Sequence, residues 1–394
     1  MQLRIGEIPL LLATIAMATP LWSLVAQEPA RQTGLQEILQ AELVAQQRES
    51  GAPGITAGIV LANGTILGLA AGMADTVLGT QMTARDRLLQ GSVGKTYVSA
   101  VAIQLIHEGL LDLDAKVSTY LGDEPWFERL PNHEDVTVRH IMTHTSGILR
   151  YEFDDRFIRD LLADPDRVWS PVDRLAYLFD TEAPFAPGAG WEYSDTNYII
   201  LGMIIERLTG NTYYDEMRRR ILEPLELHNT IPSDSRNIPG LVQGYAGIDN
   251  PFRVPEAVLV DGEFVINPQF EWTGGGVAST SEDLARWAKG LYEGRAFDES
   301  MLEMLLDGVP ARLGRGTEYG LGVIIRPTPL GTSWGHSGFF PGYLTEVAYF
   351  PEHRLAVAVQ MNSSDMGHIR LRPWQILMQL AGAVISEVGS RQVR

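Results

Sequence analysis

A serine and a lysine, Ser92 and Lys95, stand three positions apart at the start of a long apolar run. The run includes Tyr97, Val98 and Val101, and its spacing predicts a largely buried helix whose first turn carries both polar groups. Side chains three apart face the same way on a helix. The positive end of the helix dipole also favours a developing anion, which suits a serine nucleophile beside a lysine that handles its proton. Ser-x-x-Lys alone is a weak pattern, because serines at helix starts are usually caps.

A metal site is the first alternative kind of chemistry. His133 and Glu134 begin like the zinc motif H-E-x-x-H, but Thr137 stands where the second histidine belongs. His140 and His144 could share a helix face, yet no third ligand has a plausible local spacing. No metal site is therefore predicted, and the His144 side chain is expected to bond backbone near the Ser146-Gly147 helix end.

An α/β-hydrolase is the second alternative. The stretch Gly335-His336-Ser337-Gly338-Phe339 approaches the G-x-S-x-G motif of that fold but ends in phenylalanine. It also lies between two strand candidates rather than between a strand and a helix. The sequence therefore does not favour an α/β-hydrolase.

Composition limits the kinds of partner. The 394 residues are 45% hydrophobic, enough for a large core. The net charge of −18 argues against nucleic acid or an anionic membrane surface as a partner. Cysteine is absent, which excludes disulfides and thiol chemistry.

The N-terminal segment has the pattern of a secretory signal. Residues 1–26 combine an early Arg4, an apolar run and a small-residue end at Val25-Ala26, which predicts a signal peptide cleaved near Ala26. The expected location is therefore periplasmic or secreted. An uncleaved membrane anchor is the alternative, and the only form in which the protein would contact a membrane. Residues 27–34 are predicted to form a polar linker.

Strand patterns occur near both ends of the chain and helical patterns between them. A helix is predicted from Leu35 to about Arg48, and Asn63-Gly64 predicts a hairpin between strands at 55–61 and 65–69. Further helices are predicted at Val138–Thr143, Val172–Phe179, Asn197–Leu208, Tyr213–Ile221 and Trp374–Val388, and further strands at Tyr319–Ile325, Thr345–Phe350 and Leu355–Gln360.

This order of elements indicates an α+β fold. An antiparallel sheet would draw strands from both ends of the chain, with helices flanking it and a mostly helical middle region. We expect a single catalytic domain over residues 35–390. Its sheet part covers about 35–80 and 270–390, and its helical part about 81–269.

Four stretches stand out when they are taken in order. They are Gly91-Ser92-Val93-Gly94-Lys95, Thr143-His144-Thr145-Ser146-Gly147, Tyr193-Ser194-Asp195-Thr196-Asn197-Tyr198 and Gly335-His336-Ser337-Gly338. Together they resemble motifs of the serine β-lactamase and penicillin-binding-protein-like family. The resemblance is to the branch with class C β-lactamases, D-alanyl-D-alanine carboxypeptidases, D-aminopeptidases and related esterases, and it runs from about Leu35 to Asn362. It implies the β-lactamase/transpeptidase-like fold.

The resemblance implies a role for each matching residue. Ser92 would be the nucleophile that forms an acyl-enzyme, Lys95 would take or relay its proton, and Tyr193 would act as base in acylation and as acid toward the leaving group. The backbone N–H groups of Ser92 and Phe339 would hold the oxyanion.

The Asp195 position departs from the family pattern, which usually has asparagine there. A carboxylate beside Lys95 would keep the lysine charged and shift the proton-accepting role toward Tyr193. Alternatively, Asp195 only bonds a helix start. Which of Lys95 and Tyr193 is the base stays open.

The stretch His336-Ser337-Gly338 stands where many β-lactamases have Lys-Thr-Gly. These three residues and Asp195 are the predicted substrate-binding residues. A protonated His336 would recognise a substrate carboxylate, so binding should weaken as pH rises through neutrality. Alternatively, His336 only packs at the strand end beside Trp334.

The predicted function is that of a serine hydrolase acting on an amide, lactam or ester carbonyl, with a D-amino-acid peptide or a β-lactam as substrate. A family-related esterase for short acyl esters is one alternative. A non-hydrolysing protein that binds cell-wall peptide or senses a β-lactam is another. The chemistry requires no cofactor, the expected partner is a small-molecule or peptide substrate, and the oligomeric state is open.

Overall fold

A computed structural model describes the backbone of residues 21–392 and the side chains of residues 34–388. Most of the predicted signal peptide, residues 1–20, lies outside the described residues. The helices are α1 Leu21–Ser50, α2 Lys95–His107, α3 Ser118–Leu121, α4 Val138–Met142, α5 Asp155–Ala163, α6 Pro171–Leu175, α7 Asp195–Thr209, α8 Tyr213–Met217, α9 Ser281–Tyr292, α10 Leu302–Leu305 and α11 Pro373–Gln392. The strands are β1 Gly54–Val60, β2 Ile66–Asp75, β3 Thr80–Gln81, β4 Leu88–Leu89, β5 Ile231–Pro232, β6 Leu259–Val260, β7 Glu263–Phe264, β8 Val277–Ser279, β9 Val309–Pro310, β10 Glu318–Tyr319, β11 Ile324–Thr328, β12 Gly331–Phe340, β13 Tyr343–Phe350 and β14 Leu355–Met361.

The main sheet combines the two ends of the described chain. Its nine strands run in the order β3-β2-β1-β14-β13-β12-β11-β10-β9 within the described residues. N-terminal β1 pairs antiparallel with both β2 and C-terminal β14. The predicted α+β fold with an antiparallel sheet drawn from both ends is therefore confirmed.

The two faces of the sheet pack against different layers. Along β14, Leu355, Val357 and Val359 face the cluster formed with α1 and α11, whereas Ala356 and Ala358 face the larger core on the other side. This alternation follows from the two-residue period of a strand. Small residues line the second face because α9 comes very close there: a Cβ at Gly58 would lie 1.9 Å from the Ser281 carbonyl oxygen.

The region between the sheet segments is helical, as predicted, but it also holds short strands. β4, β8 and β5 form a three-stranded antiparallel sheet, and β6 pairs with β7. The β4–β8 pair lies next to the segment with Ser92, so these short strands help to fix the turn that follows β4.

Two predicted boundaries were wrong. Residues 27–34 are not a linker but part of α1, which continues through Pro29 and Gly34. The predicted strand Tyr319–Ile325 is two strands, β10 and β11. The chain turns between them through Gly322 at φ +81°, a conformation that glycine adopts readily.

Although a strand end was expected beside Trp334, no bounds were predicted for strand β12. It carries His336, Ser337 and Gly338, and its three glycines and polar residues hide the apolar alternation that marks a strand. No helix in the described part of the chain is long and apolar enough to cross a membrane.

Candidate active site

Ser92 lies in a tight turn that is pressed against β12. A 3₁₀ turn over Gly91–Gly94 precedes α2. Gly91 has φ +52°, and a Cβ there would lie 2.7 Å from the backbone nitrogen of Phe339. A Cβ at Gly338 would meet the Gln90 carbonyl oxygen at 1.9 Å. Both positions therefore require glycine, and this close packing brings the peptide before Ser92 beside that of Phe339.

The Lys95 ammonium is fully buried and has three hydrogen-bond acceptors. Its Nζ donates to Ser92 Oγ at 3.1 Å, to Asp195 Oδ1 at 2.5 Å and to the Gly274 carbonyl oxygen. An ammonium has three N–H donors and no acceptor. Because all three donors are used, the geometry fits a charged lysine that has no lone pair to offer the Ser92 proton.

Local charges also favour a protonated Lys95 and an ionised Asp195. Burial alone would lower the pKa of Lys95, but Asp195 and Tyr193 together outweigh it, and the pKa lies above its usual value. Burial favours neutral Asp195, yet Lys95 and Arg150 hold the pKa of Asp195 below its usual value. The predicted contact between Asp195 and Lys95 is thus present, at the first residue of α7.

The Tyr193 ring is held between Lys95 and His144. Lys95 Nζ lies 4.9 Å from the Tyr193 ring centroid, and the His144 and Tyr193 rings are 4.1 Å apart. The Tyr193 hydroxyl is close enough to Ser92 and Lys95 for both residues to lower its pKa. It makes no hydrogen bond of standard geometry within the described residues. Burial raises the pKa of Tyr193 despite the charge of Lys95, so the phenol is protonated before substrate binds.

His144 differs from its predicted role in one respect. It bonds backbone, but its Nδ1 accepts from the N–H of Ser194, at 3.2 Å, and from the Asn197 side chain, at 3.1 Å. The partner is therefore the segment that carries Tyr193, not the Ser146-Gly147 region. His144 holds the third sequence motif against the second.

His336 is a buried neutral imidazole, contrary to the predicted charged form. Its Nδ1 donates to the Ser337 carbonyl oxygen at 2.6 Å, and its Nε2 accepts from the Tyr319 hydroxyl at 3.0 Å. Burial, together with the charge of Lys95, lowers the pKa of His336 to about 3. The expected weakening of binding through neutral pH therefore has no basis in His336.

Two cavities meet at Ser92. The large one has a volume of about 740 Å³ and is lined by Tyr193, His336 and Arg326, among others. The small one has a volume of about 50 Å³ and is lined by acidic and aromatic side chains. Ser92 and Phe339 line both cavities, so a carbonyl at Ser92 would lie at their junction.

The model of the family described as "Beta-lactamase" matches residues 39–380. The chain belongs to this family. The match includes Ser92, Lys95, Tyr193 and His336, the residues that the structure brings around the junction of the two cavities.

Several proteins resemble this family member. Penicillin-binding protein 4* of Bacillus subtilis is 26% identical over 70% of this chain and 60% of its own length. A D-aminopeptidase of Brucella anthropi is 25% identical over 85% of this chain and 61% of its own. The match thus spans about three fifths of these two relatives. A D-stereospecific amidohydrolase from Streptomyces sp. has a TM-score of 0.71 and 26% identity, over 89% of this chain and 97% of its own.

The sequence analysis missed several charged residues of this β-lactamase-family site. Arg326 donates to Ser337 Oγ at 2.7 Å and pairs with Glu346, so it brings a permanent positive charge to the large cavity. Arg150, Glu152 and Glu271 surround the small cavity. Glu152 could have been suspected, because it follows the Thr143–Gly147 motif closely. Nothing in the sequence marks Glu271 or Arg326.

Replacing Asp195 by asparagine tests the charge of Lys95. Without the carboxylate, burial dominates and the pKa of Lys95 falls, so the alkaline limb of the kcat/KM profile should move to lower pH by about 1–3 units. Glu192→Gln is the matched control, since it removes an exposed carboxylate from the same segment. A pH–rate profile that does not move in Asp195→Asn would show that Asp195 does not set the state of Lys95.

Proposed function

We propose that this protein is a serine hydrolase that hydrolyses amide bonds of D-amino-acid substrates through an acyl-enzyme on Ser92. One observation carries the proposal: Ser92 Oγ lies 3.1 Å from the buried Lys95 ammonium, at the junction of two cavities. The ammonium orients the serine and stabilises negative charge that develops on its oxygen. A serine that merely caps a helix would not need a buried cation beside it.

Tyr193 is the group best placed to move the proton. The Ser92 oxygen attacks the carbonyl carbon, and its proton passes to the Tyr193 oxygen while the Tyr193 proton goes to the leaving nitrogen. The C–N bond breaks and the ester to Ser92 forms. Such a relay needs no free phenolate, which is consistent with the raised pKa of Tyr193. A water then hydrolyses the ester by the reverse sequence, releasing the acid and restoring Ser92.

The substrate class rests on two supports. A sequence relative is named as a D-aminopeptidase, and a protein with a similar fold is named as a D-stereospecific amidohydrolase. The strand residue at position 336 is a neutral histidine, where a lysine would supply a full charge for a β-lactam carboxylate. Both favour D-amino-acid amides over β-lactams. Activity on short esters would accompany this chemistry, because an ester is the more reactive acyl donor.

A covalent probe separates these functions. Fluorescent penicillin, D-alanine p-nitroanilide and p-nitrophenyl acetate are offered separately to the wild type and to Ser92→Ala, and the label, p-nitroaniline and p-nitrophenol are followed over time. We expect p-nitroaniline release that falls by about 10³-fold or more in Ser92→Ala. Lys116→Arg, at an exposed lysine, is the control.

Other outcomes of this experiment would overturn the proposal. Rapid loss of the penicillin label with no anilide hydrolysis indicates a β-lactamase, and persistent label without turnover indicates a sensor. Hydrolysis of p-nitrophenyl acetate alone indicates an esterase. Equal anilide hydrolysis in Ser92→Ala would exclude Ser92 as the nucleophile.

We also propose that residues 1–26 direct export to the periplasm or beyond, on the basis of their sequence pattern. Mass spectrometry of the full-length gene product from fractionated cells tests this. A mature chain beginning near Gln27 outside the cytoplasm is the expected result. An intact N-terminus in the membrane fraction indicates an anchor, and an intact N-terminus in the cytoplasm contradicts export.

A further inference from the structure

The wall of the small cavity beside Ser92 has three carboxyl groups and one guanidinium, that of Arg150. Glu152, Asp195 and Glu271 all line it, and we call these three residues the acidic pocket. Phenylalanines supply most of the remaining wall, and they include Phe252, Phe270, Phe339 and Phe340. Carboxyl groups enclosed by aromatic rings are costly to bury unless they have a partner.

Two carboxyl oxygens of the acidic pocket accept no hydrogen bond from the protein. Glu152 is 3% exposed and Glu271 is 5% exposed. The Oε2 atom of each accepts no hydrogen bond from the described residues, although a protonated Glu152 would donate one to Asp195. Arg150 bonds only the other oxygen of Glu152, at 2.6 Å. The acidic pocket therefore offers acceptors to a ligand that can donate hydrogen bonds.

The acidic pocket lies on the acyl side of the site. Tyr193, which protonates the leaving group in the proposed mechanism, lines the large cavity and not the small one. Phe340 and Pro341, which continue the chain beyond Phe339, line only the small one. A substrate with its leaving group near Tyr193 therefore extends its acyl part toward the acidic pocket.

We propose that the acidic pocket binds the free α-ammonium group of the residue whose carbonyl carbon Ser92 attacks. The favoured substrates then carry an unblocked amine on the D-residue that is released, as N-terminal residues and amino-acid amides do. This inference rests on the proposed function, which it narrows. It distinguishes an enzyme that releases N-terminal residues from one that releases C-terminal residues. In the second kind of reaction, the residue whose carbonyl is attacked has an acylated nitrogen and no free ammonium.

Size and charge both fit an ammonium. About 50 Å³ exceeds the volume that a single water needs and is far too small for a second amino-acid residue. Burial and the neighbouring Asp195 raise the pKa of Glu152 to about 7, and they raise that of Glu271 well above its usual value. A bound cation would favour the ionised form of either acid. No group of acidic, histidine or cysteine side chains in the described structure is arranged to hold a metal ion.

A series of matched anilides tests the proposal. Hydrolysis of D-alanine p-nitroanilide is compared with that of N-acetyl-D-alanine p-nitroanilide and propionic acid p-nitroanilide, which lack the ammonium. We expect the wild type to favour the free amine by about 10²-fold or more in kcat/KM, because an analogue without the ammonium leaves the buried carboxyl groups of the acidic pocket unpaired. Glu152→Gln and Glu271→Gln should each reduce this preference, mainly by raising KM for the amine substrate.

Glu346→Gln is the matched control, since Glu346 is also a buried glutamate paired with an arginine but lines the large cavity. It should change the rates of all three substrates by a similar factor. Glu271→Gln is the variant less exposed to misfolding, because Glu271 forms no ion pair with any residue that the structure describes.

Two results would overturn the inference. Ser92-dependent hydrolysis without preference for the amine would leave the proposed function standing and remove the ammonium site. Equal losses on all three substrates in both glutamine variants would show a structural role for the acidic pocket. If none of the three anilides is hydrolysed in a Ser92-dependent manner, the proposed function fails, and the inference with it.

Discussion

The buried ion pair between Lys95 and Asp195 is the interaction on which the site depends. Two charges removed from water are stable only when their remaining hydrogen bonds are satisfied. Lys95 meets this condition through Asp195, Ser92 and the Gly274 carbonyl oxygen. These partners come from the turn before α2, the start of α7 and the loop before β8. The pair therefore ties together three distant segments of the chain.

The loop before β8 is itself held in place by a buried arginine. Arg174 is completely buried, and its guanidinium donates to the carbonyl oxygens of Gln269, at 2.9 Å, and Phe270, at 2.7 Å. A few residues on, Trp272 has φ +39°, which is rare for a residue with a side chain. The arrangement aims the Gly274 carbonyl oxygen at Lys95 and places Glu271 in the acidic pocket. Both the cation and the acids of the site thus depend on this one loop.

Residues that stand in a recognisable local sequence pattern could be predicted. Ser92 and Lys95 share a helical turn, and Tyr193 and Asp195 stand at the start of an apolar helix, so their chemistry can be inferred from neighbours in the sequence. The sheet could be placed because β1, β2 and β14 have apolar residues and clear turns. The Asp195–Lys95 contact was foreseen because one carboxylate replaced an expected amide.

Features set by distant contacts could not be predicted. The charge state of His336 depends on burial and on the charge of Lys95 from a distant helix, neither of which its sequence neighbours reveal. Glu152 and Glu271 lie 119 positions apart, as 271 − 152 = 119, and become one site only through the fold. The bounds of strand β12 could not be predicted because close packing against the segment with Ser92 requires glycine, which hides the strand pattern.

The central claim is that Lys95 remains an ammonium in the free enzyme and leaves proton transfer to Tyr193. Nitrogen NMR of the side-chain amino groups tests it directly, since the chain has lysines only at positions 95, 116 and 289. Arginine substitutions at positions 116 and 289 assign the signals. An ammonium signal from Lys95 that persists beyond about pH 10.4, where a free lysine loses its proton, is the predicted result. Conversion of Lys95 to the neutral amine below about pH 9 would contradict the account.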